Sequence, residues 1–452
     1  MRPSVAAALR NVISATGVAL TTACGLLFLA LVALHLLGFL QNPYTGIVVF
    51  VLVPGLFVLG LLLIPLGLWV ERRRGVRAGD AGAPSSTLDL GDPNVRRTLL
   101  FVAGATAVNL IIVSAASYGA VEYTESPEFC GQVCHTTMEP EYSSYPAWPH
   151  ARVACATCHV GRGAGALVES KITGARQFFQ AATGRVTGPI PTPVTSMRPA
   201  RETCEQCHWP EKFHGDKIRR IAEYANDEPG TESVTALQLH VGGGSRALGI
   251  GTGIHWHMNL DNEIEYIATD DTRATIPYVR LRCRDGQVRE FAVEGTTPEQ
   301  LASGTRRRMD CMDCHNRPAH TFHPSPERAV DAAIAQGRVP RELPFARREV
   351  VAAVGAEYPS RASALDAIGR RLRDFYAKAG GQDARLVERA VAAAQDAWAR
   401  NVFPTMRVTW GTYPNHLGHL DAPGCFRCHD DEHKAADGSV IRQDCELCHT
   451  IE

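Results

Sequence analysis

Six places in this 452-residue chain set two cysteines just ahead of a histidine. Five are regular: Cys155-Ala-Thr-Cys158-His159, Cys204-Glu-Gln-Cys207-His208, Cys311-Met-Asp-Cys314-His315, Cys425-Phe-Arg-Cys428-His429 and Cys445-Glu-Leu-Cys448-His449. Two thiols at that spacing can form thioethers with the vinyl groups of a porphyrin, and the adjoining imidazole can reach its iron. At this cysteine and histidine content a random chain holds such a pattern on the order of once in fifty sequences, so five copies predict a multihaem c-type cytochrome. Cys130-Gly-Gln-Val-Cys134-His135 carries one extra residue between its thiols, which a bulged turn accommodates, and it is counted as a sixth haem c site. The competing chemistry is zinc binding or a redox dithiol, which Cys-x-x-Cys alone also suggests; the histidine locked to each second cysteine disfavours it.

Each iron then needs a second axial group, and a pair of histidines gives lower potentials than histidine with methionine. Ten further histidines follow residue 122: His150, His214, His240, His255, His257, His320, His323, His416, His419 and His433. His150, His320, His419 and His433 are favoured because each sits in a short tract beside an attachment motif. His257 is favoured because it and His255 flank Trp256 and would face one side of a strand, which suits one of the two ligating a haem on which the sheet packs. His214, His255 and His416 are the alternates.

The elements that hold these residues begin with a membrane anchor. From Asn11 to Val70 there is no Asp, Glu, Lys or Arg, and Gln41-Asn-Pro-Tyr-Thr-Gly46 interrupts the run. About 20 residues of helix cross the hydrocarbon, so spans are expected near 15–40 and 46–70, with a third at 99–120. Arg2 and Arg10 precede the first span, and Arg72, Arg73, Arg74, Arg77, Arg96 and Arg97 crowd the loop between the second and third, which assigns both to the cytoplasm. Everything after residue 122 is then periplasmic, where bacteria attach c-type haem, and the location is the inner membrane. A cleaved signal peptide is the rival reading of the first span, which is long and leads into another. His35, inside that span, reads as an interhelical hydrogen-bonding residue or a cofactor ligand.

Beyond the anchor, a short helix is expected at 166–181, followed by an extended Pro-rich link at 188–193. Short β-branched runs at 234–240, 253–258, 263–268, 275–283 and 288–293 suggest an inserted antiparallel sheet. Apolar residues three and four apart at 329–335, 344–354, 362–377 and 384–401 predict helices. The fold class is therefore mainly α and membrane-anchored, with a haem-organised periplasmic region carrying a small sheet and a helical segment. The divisions are 1–97 (two spans and loop), 98–122 (third span), 123–231 (sites one to three), 232–300 (β-rich insert) and 301–452 (sites four to six). Twelve of the 14 cysteines belong to the motifs; Cys24 and Cys283 read as small buried side chains. A formal net charge of -1 argues against nucleic acid as a partner.

The run Pro127-Glu-Phe-Cys130 to His135, then Met138, Tyr142, His150 and Cys155-Ala-Thr-Cys158-His159, resembles the NapC/NirT/NrfH family of membrane-anchored quinol dehydrogenase cytochromes. Asp313-Cys-His-Asn-Arg-Pro318 and Gly424-Cys-Phe-Arg-Cys-His-Asp430 look like the longer inner-membrane members of metal-respiring and related anaerobic bacteria. The resemblance implies oxidation of menaquinol or a similar quinol, and transfer of electrons to periplasmic cytochromes or reductases in anaerobic respiration. It also implies that Met138 ligates the first iron and that Lys171 lies near the quinol head group. Quinol oxidation releases protons, for which Glu139, Glu141, Glu169 and Lys171 are the candidates nearest the anchor. An electron-relay subunit fed by a membrane partner, and a terminal oxyanion reductase with an open iron, are the alternatives. A pyridine haemochrome assay with the intact mass is expected to count six haems per chain; a count of five would leave the widened site empty.

Overall fold

The computed structural model describes residues 11–40, 42, 44–77, 93–194, 197–243, 251–259, 261–283 and 285–451. Arg2, Arg10, Gln41, Pro43 and the whole of 78–92 lie outside the described residues, as do the side chains of His135, Arg72, Arg74 and Arg77. The chain divides after Val133 into two compact units.

The first unit holds three helices long and apolar enough to cross a membrane. Helix α1 spans Val12–Leu36, capped by the Asn11 side chain, which accepts from the Ile13 amide. The second begins at Thr45, passes through a π-helical turn at Val48–Leu52 and continues as α2, Val53–Arg77. Helix α3 spans Pro93–Glu125. Small residues let α1 and α2 approach closely: a Cβ added to Gly60 would stand 2.5 Å from Thr21 Oγ1, and one added to Gly67 2.3 Å from Ser14 Oγ. Ser14 donates to the Ile64 carbonyl (3.0 Å) and Asn11 to that of Gly67 (2.7 Å), bonds that lipid could not replace. His35 meets the edge of the Phe50 ring at 5.6 Å, and Cys24 is buried in this unit's apolar core.

The second unit opens with helices α4 (His135–Ser144), α5 (Cys155–His159) and α6 (Ala164–Ala182). Two antiparallel sheets follow. Strands β1 (Lys217–Tyr224) and β2 (Glu232–Leu239) pair with β8 (His449–Ile451) in the order β1-β2-β8. Strands β3 (Asn262–Ala268), β4 (Tyr278–Cys283), β5 (Val288–Val293), β6 (Thr305–Arg308) and β7 (His433–Ala435) run in the order β6-β3-β4-β5-β7. A capped helix, α7 (Pro298–Ser303), links β5 to β6.

The sheet is thus not one self-contained insert, because the C-terminal segments supply an edge strand to each of two sheets. The stretch around His255 and His257 is also no strand: Ile254–Met258 forms a 3-10 turn. Gly253 before it has φ 79°, a reversal that ends extended structure.

Helices α8 (Pro326–Ala335), α9 (Ala346–Val354), α10 (Arg361–Ala379) and α11 (Ala384–Ala399) follow the helical periodicity of the sequence. Ser325, Ser360 and Asp383 cap the first, third and fourth of them with side-chain oxygens. They enclose the largest apolar core, around Val330, Leu343, Val350, Ile368, Leu372 and Trp398. Leu372→Ala is expected to cost about 2–5 kcal/mol by leaving a cavity there. Arg370→Ala on the solvent face should stay within about 0.5 kcal/mol. Denaturant unfolding of the two variants separates these outcomes.

Candidate haem-iron sites

The attachment motifs share a backbone shape. Cys204–Gln206, Cys311–Asp313, Gly424–Arg427 and Cys445–Leu447 form 3-10 turns. In three of these the histidine amide then donates to the first cysteine's carbonyl: His208 to Cys204 and His315 to Cys311 at 2.8 Å, His429 to Cys425 at 3.0 Å. Such a turn folds the histidine's backbone back over the first cysteine. The second motif is the short helix α5. The widened first motif differs: Cys130 sits in a π turn, Phe129–Val133, whose i→i+5 pitch absorbs one extra residue, and Cys134 precedes α4.

Five attachment histidines face a second imidazole. The ring centroids are 6.2 Å apart for His159 and His320, 6.2 Å for His208 and His150, 6.3 Å for His315 and His255, 5.8 Å for His429 and His257, and 6.0 Å for His449 and His419. Two metal–nitrogen bonds of about 2 Å plus the inner halves of two rings set coaxial imidazoles roughly 6 Å apart, so these gaps fit one iron each. The ring orientations fit as well. His150 Nδ1 is held by the Pro318 carbonyl (2.9 Å), His255 by Val241 (3.0 Å), His257 by Ile254 (2.7 Å) and His429 by Arg442 (2.9 Å). An Nδ1 engaged by a carbonyl leaves Nε2 as the ligating atom. Burial lowers the pKa of His159, His257 and His315, and that of His320 to about 4, favouring the neutral imidazole that binds metal.

The pairing is crosswise in sequence. His150, beside the second motif, faces the third; His320, beside the fourth, faces the second; His419, just ahead of the fifth, faces the sixth. His255 and His257, two residues apart on one 3-10 turn, face different partners. His433 does not face an attachment histidine in any of these pairs. Its Nδ1 meets Asp430 at 2.9 Å and its Nε2 meets the Ile276 carbonyl at 2.7 Å, so both nitrogens are engaged within the protein. The remaining imidazoles have other contacts: His214 with Lys212, His240 with Asp216, His416 with the Thr272 carbonyl and His323 with the Trp148 ring.

Neighbouring motifs also lie close together. The sulfur atoms of Cys204 and Cys311 are near one another. Cys158 lies within electrostatic reach of Cys204, Cys314 within reach of Cys425, and Cys425 within reach of Cys448. Successive motifs from the second to the sixth are therefore neighbours in space.

Sequence reading missed what locks the middle of that series. Asp313, inside the fourth motif, has a side chain only 1% exposed. It accepts from Tyr266 Oη (2.5 Å), Arg307 Nε (2.9 Å), Arg273 Nη1 (3.2 Å) and the Asp310 amide (2.7 Å). Arg427, inside the fifth motif, donates to the backbone carbonyls of Asp313 (2.5 Å), Arg273 (3.0 Å) and its own Gly424 (2.7 Å). One salt-bridged knot thus joins two attachment turns to the five-stranded sheet. The available signal was a charged residue at a variable position of each motif, where solvent exposure is the usual explanation.

The proposed proton-handling residues fall on two helices. On α4, Glu139 pairs with Arg361 (2.9 Å), while Glu141 is buried 4.0 Å from Arg317, its pKa raised by burial against the pull of that arginine. Met138 lies on the same helix. On α6, Glu169 lines a shallow hollow with Val168, Ile172 and Thr173, and Lys171 lies half-buried beyond its edge.

Residues 92–190 match the family model described as the N-terminal region of the NapC/NirT cytochrome c family. The chain is 40% identical over 448 residues to the cytochrome c-type protein ImcH of Geobacter sulfurreducens, an alignment covering 98% of this chain and 88% of that one. No solved structure matches it.

Near-parallel axial imidazoles give a rhombic low-spin EPR signal and near-perpendicular ones a strongly anisotropic signal. The planes of His255 and His315 differ by 7° and those of His257 and His429 by 83°. His255→Met is therefore expected to remove a rhombic signal and raise one midpoint potential. His433→Met should leave the spectra intact and lower stability by about 1–3 kcal/mol through its stranded hydrogen-bond partners. Potentiometric EPR and a thermal melt read both variants.

Proposed function

The chain belongs to the NapC/NirT cytochrome c family, and from that premise we propose that it oxidises menaquinol or a similar quinol at the inner membrane and transfers electrons outward to periplasmic cytochromes or reductases. The observation that carries this reading is the set of five opposed imidazole pairs, from His159–His320 to His449–His419. A relay needs sites near enough for successive transfer, and filled axial positions suit electron transfer better than small-molecule reduction.

Haem c supplies one-electron redox chemistry when bound, and six are proposed. Cys130, Cys134 and their counterparts in the other five motifs anchor the porphyrins. His159, His208, His315, His429 and His449 would hold the irons together with His320, His150, His255, His257 and His419 respectively. His135 and Met138 are proposed for the first site. Three spans with the N-terminus in the cytoplasm put these sites in the periplasm. Each quinol loses two electrons and two protons. Glu169, at the hollow on α6, is the favoured proton acceptor in this chain, and Lys171 orients the quinol oxygen as a hydrogen-bond donor.

A second reading is a relay subunit fed by a partner quinol oxidase in the membrane. It draws support from Glu139 and Glu141, whose arginine neighbours give both a structural employment. The isolated holoprotein in nanodiscs is expected to show haem reduction on adding a menaquinol analogue, followed by α-band absorbance. Lys171→Ala should slow that reduction by about tenfold, equivalent to about 1.4 kcal/mol, at unchanged haem content. Reduction only in the presence of a copurifying subunit would transfer the quinol site to that partner.

A further inference from the structure

Helix α6 has an apolar stripe that nothing in its own unit covers. None of its 19 residues is buried. Its side toward the protein is lined by half-buried Ala166, Leu167 and Ser170. On the outward side, Ala164, Val168, Ile172, Ala175 and Phe179 recur three and four residues apart, within one face of a helix. Ile172 is 69% exposed, Phe179 59%, Val168 58% and the adjoining Phe178 54%. The hollow on this face is lined by residues of α6 alone, from Ala164 to Thr173, so it is open on its other side. Exposed aromatic and aliphatic side chains gathered on a single helical face mark a contact surface rather than ordinary scatter.

We infer that α6 lies along the membrane surface as an interfacial helix, with Val168, Ile172 and Phe179 inserted among the acyl chains of an anionic bilayer. Two features select lipid as the occupant. The first is charge: Arg162, Lys171, Arg176 and Arg185 surround the stripe against the single acid Glu169, a balance that favours anionic headgroups. By their helical positions Lys171 and Arg176 fall at opposite borders of the apolar face; long cationic side chains at such borders suit anionic headgroups while their stems stay in apolar surroundings. Arg185 continues the pattern past the helix, its guanidinium 5.9 Å from the Phe179 ring. The second is the covalent tether: helix α3, among the described residues the last one long and apolar enough to cross a membrane, ends at Glu125, and α6 begins at Ala164.

The inference requires the membrane anchor and not the quinol chemistry. It gives the second unit its own contact with lipid, in addition to the covalent tether. It also sets Glu169 and Lys171 at headgroup depth, where a lipid-soluble reductant arrives.

The test uses the full holoprotein in nanodiscs of phosphatidylcholine and phosphatidylglycerol, with photoreactive p-benzoylphenylalanine introduced genetically at Ile172. Gln177, on a polar part of the same helix, serves as the control position. Both side chains are exposed, so the bulkier residue needs no repacking, and haem content verifies assembly. Irradiation is expected to give peptides carrying a phospholipid mass at position 172 and none at 177, and the result should repeat at Phe179. Cross-links from 172 and 179 to another segment of this chain or to a second copy would overturn the inference. So would equal lipid labelling at 177, or an absence of adducts at 172 and 179.

Discussion

A metal held between two imidazoles fixes their separation to within a few tenths of an ångström, and the second unit sets five imidazole pairs at spacings that would meet that demand. Each pair joins segments that are far apart in the chain, so each iron would act as a crosslink as well as a redox centre. His150 is positioned through the Pro318 carbonyl, and His255 through the Val241 carbonyl just beyond β2. The backbone thus supplies the second shell directly, and the ring orientation is inherited from how loops pack. Turning one of these carbonyls away would release the ring's tautomer and direction together.

The Asp313 knot applies the same logic with charge. A carboxylate out of water is costly unless it is paired and hydrogen-bonded. Here two arginines, a tyrosine hydroxyl and a backbone amide surround it, so its ionised form is compensated within the fold. Arg427 spends its guanidinium on three carbonyls, and so couples the fifth attachment turn to the backbone of the fourth. The arrangement explains why charged residues occupy positions in these motifs that the thioether chemistry leaves unconstrained. It also makes the spacing between two attachment sites a property of the sheet on which both turns rest.

The two units solve their packing problems differently. In the first, water is absent from the expected surroundings, so small residues and interhelical hydrogen bonds from Asn11 and Ser14 replace the hydrophobic drive. In the second, four helices around Trp398 and Leu372 make an ordinary apolar core, while the loop-rich remainder is shaped by the attachment turns and their ligands. Helix α6 belongs to neither pattern: it is amphipathic, yet its apolar face is left uncovered by the rest of its own unit.

The sequence by itself determined the cofactor chemistry, the anchor and the helical segment, because each is written in local spacing. Two thiols and an imidazole fit one turn, a span needs an uncharged run, and α8 to α11 carry their own periodicity and caps. The helices around 329–401 were legible to within a few residues for that reason. Only the tertiary structure decided which imidazole faces which attachment site. Nearness in sequence is a poor guide where a ligand must approach the opposite face of a planar group: His255 faces His315, while both nitrogens of His433 are engaged within the protein. The Gly253–Met258 run, strand-like in composition, became a 3-10 turn because that geometry sends two neighbouring histidines to different partners, as no pleated strand could.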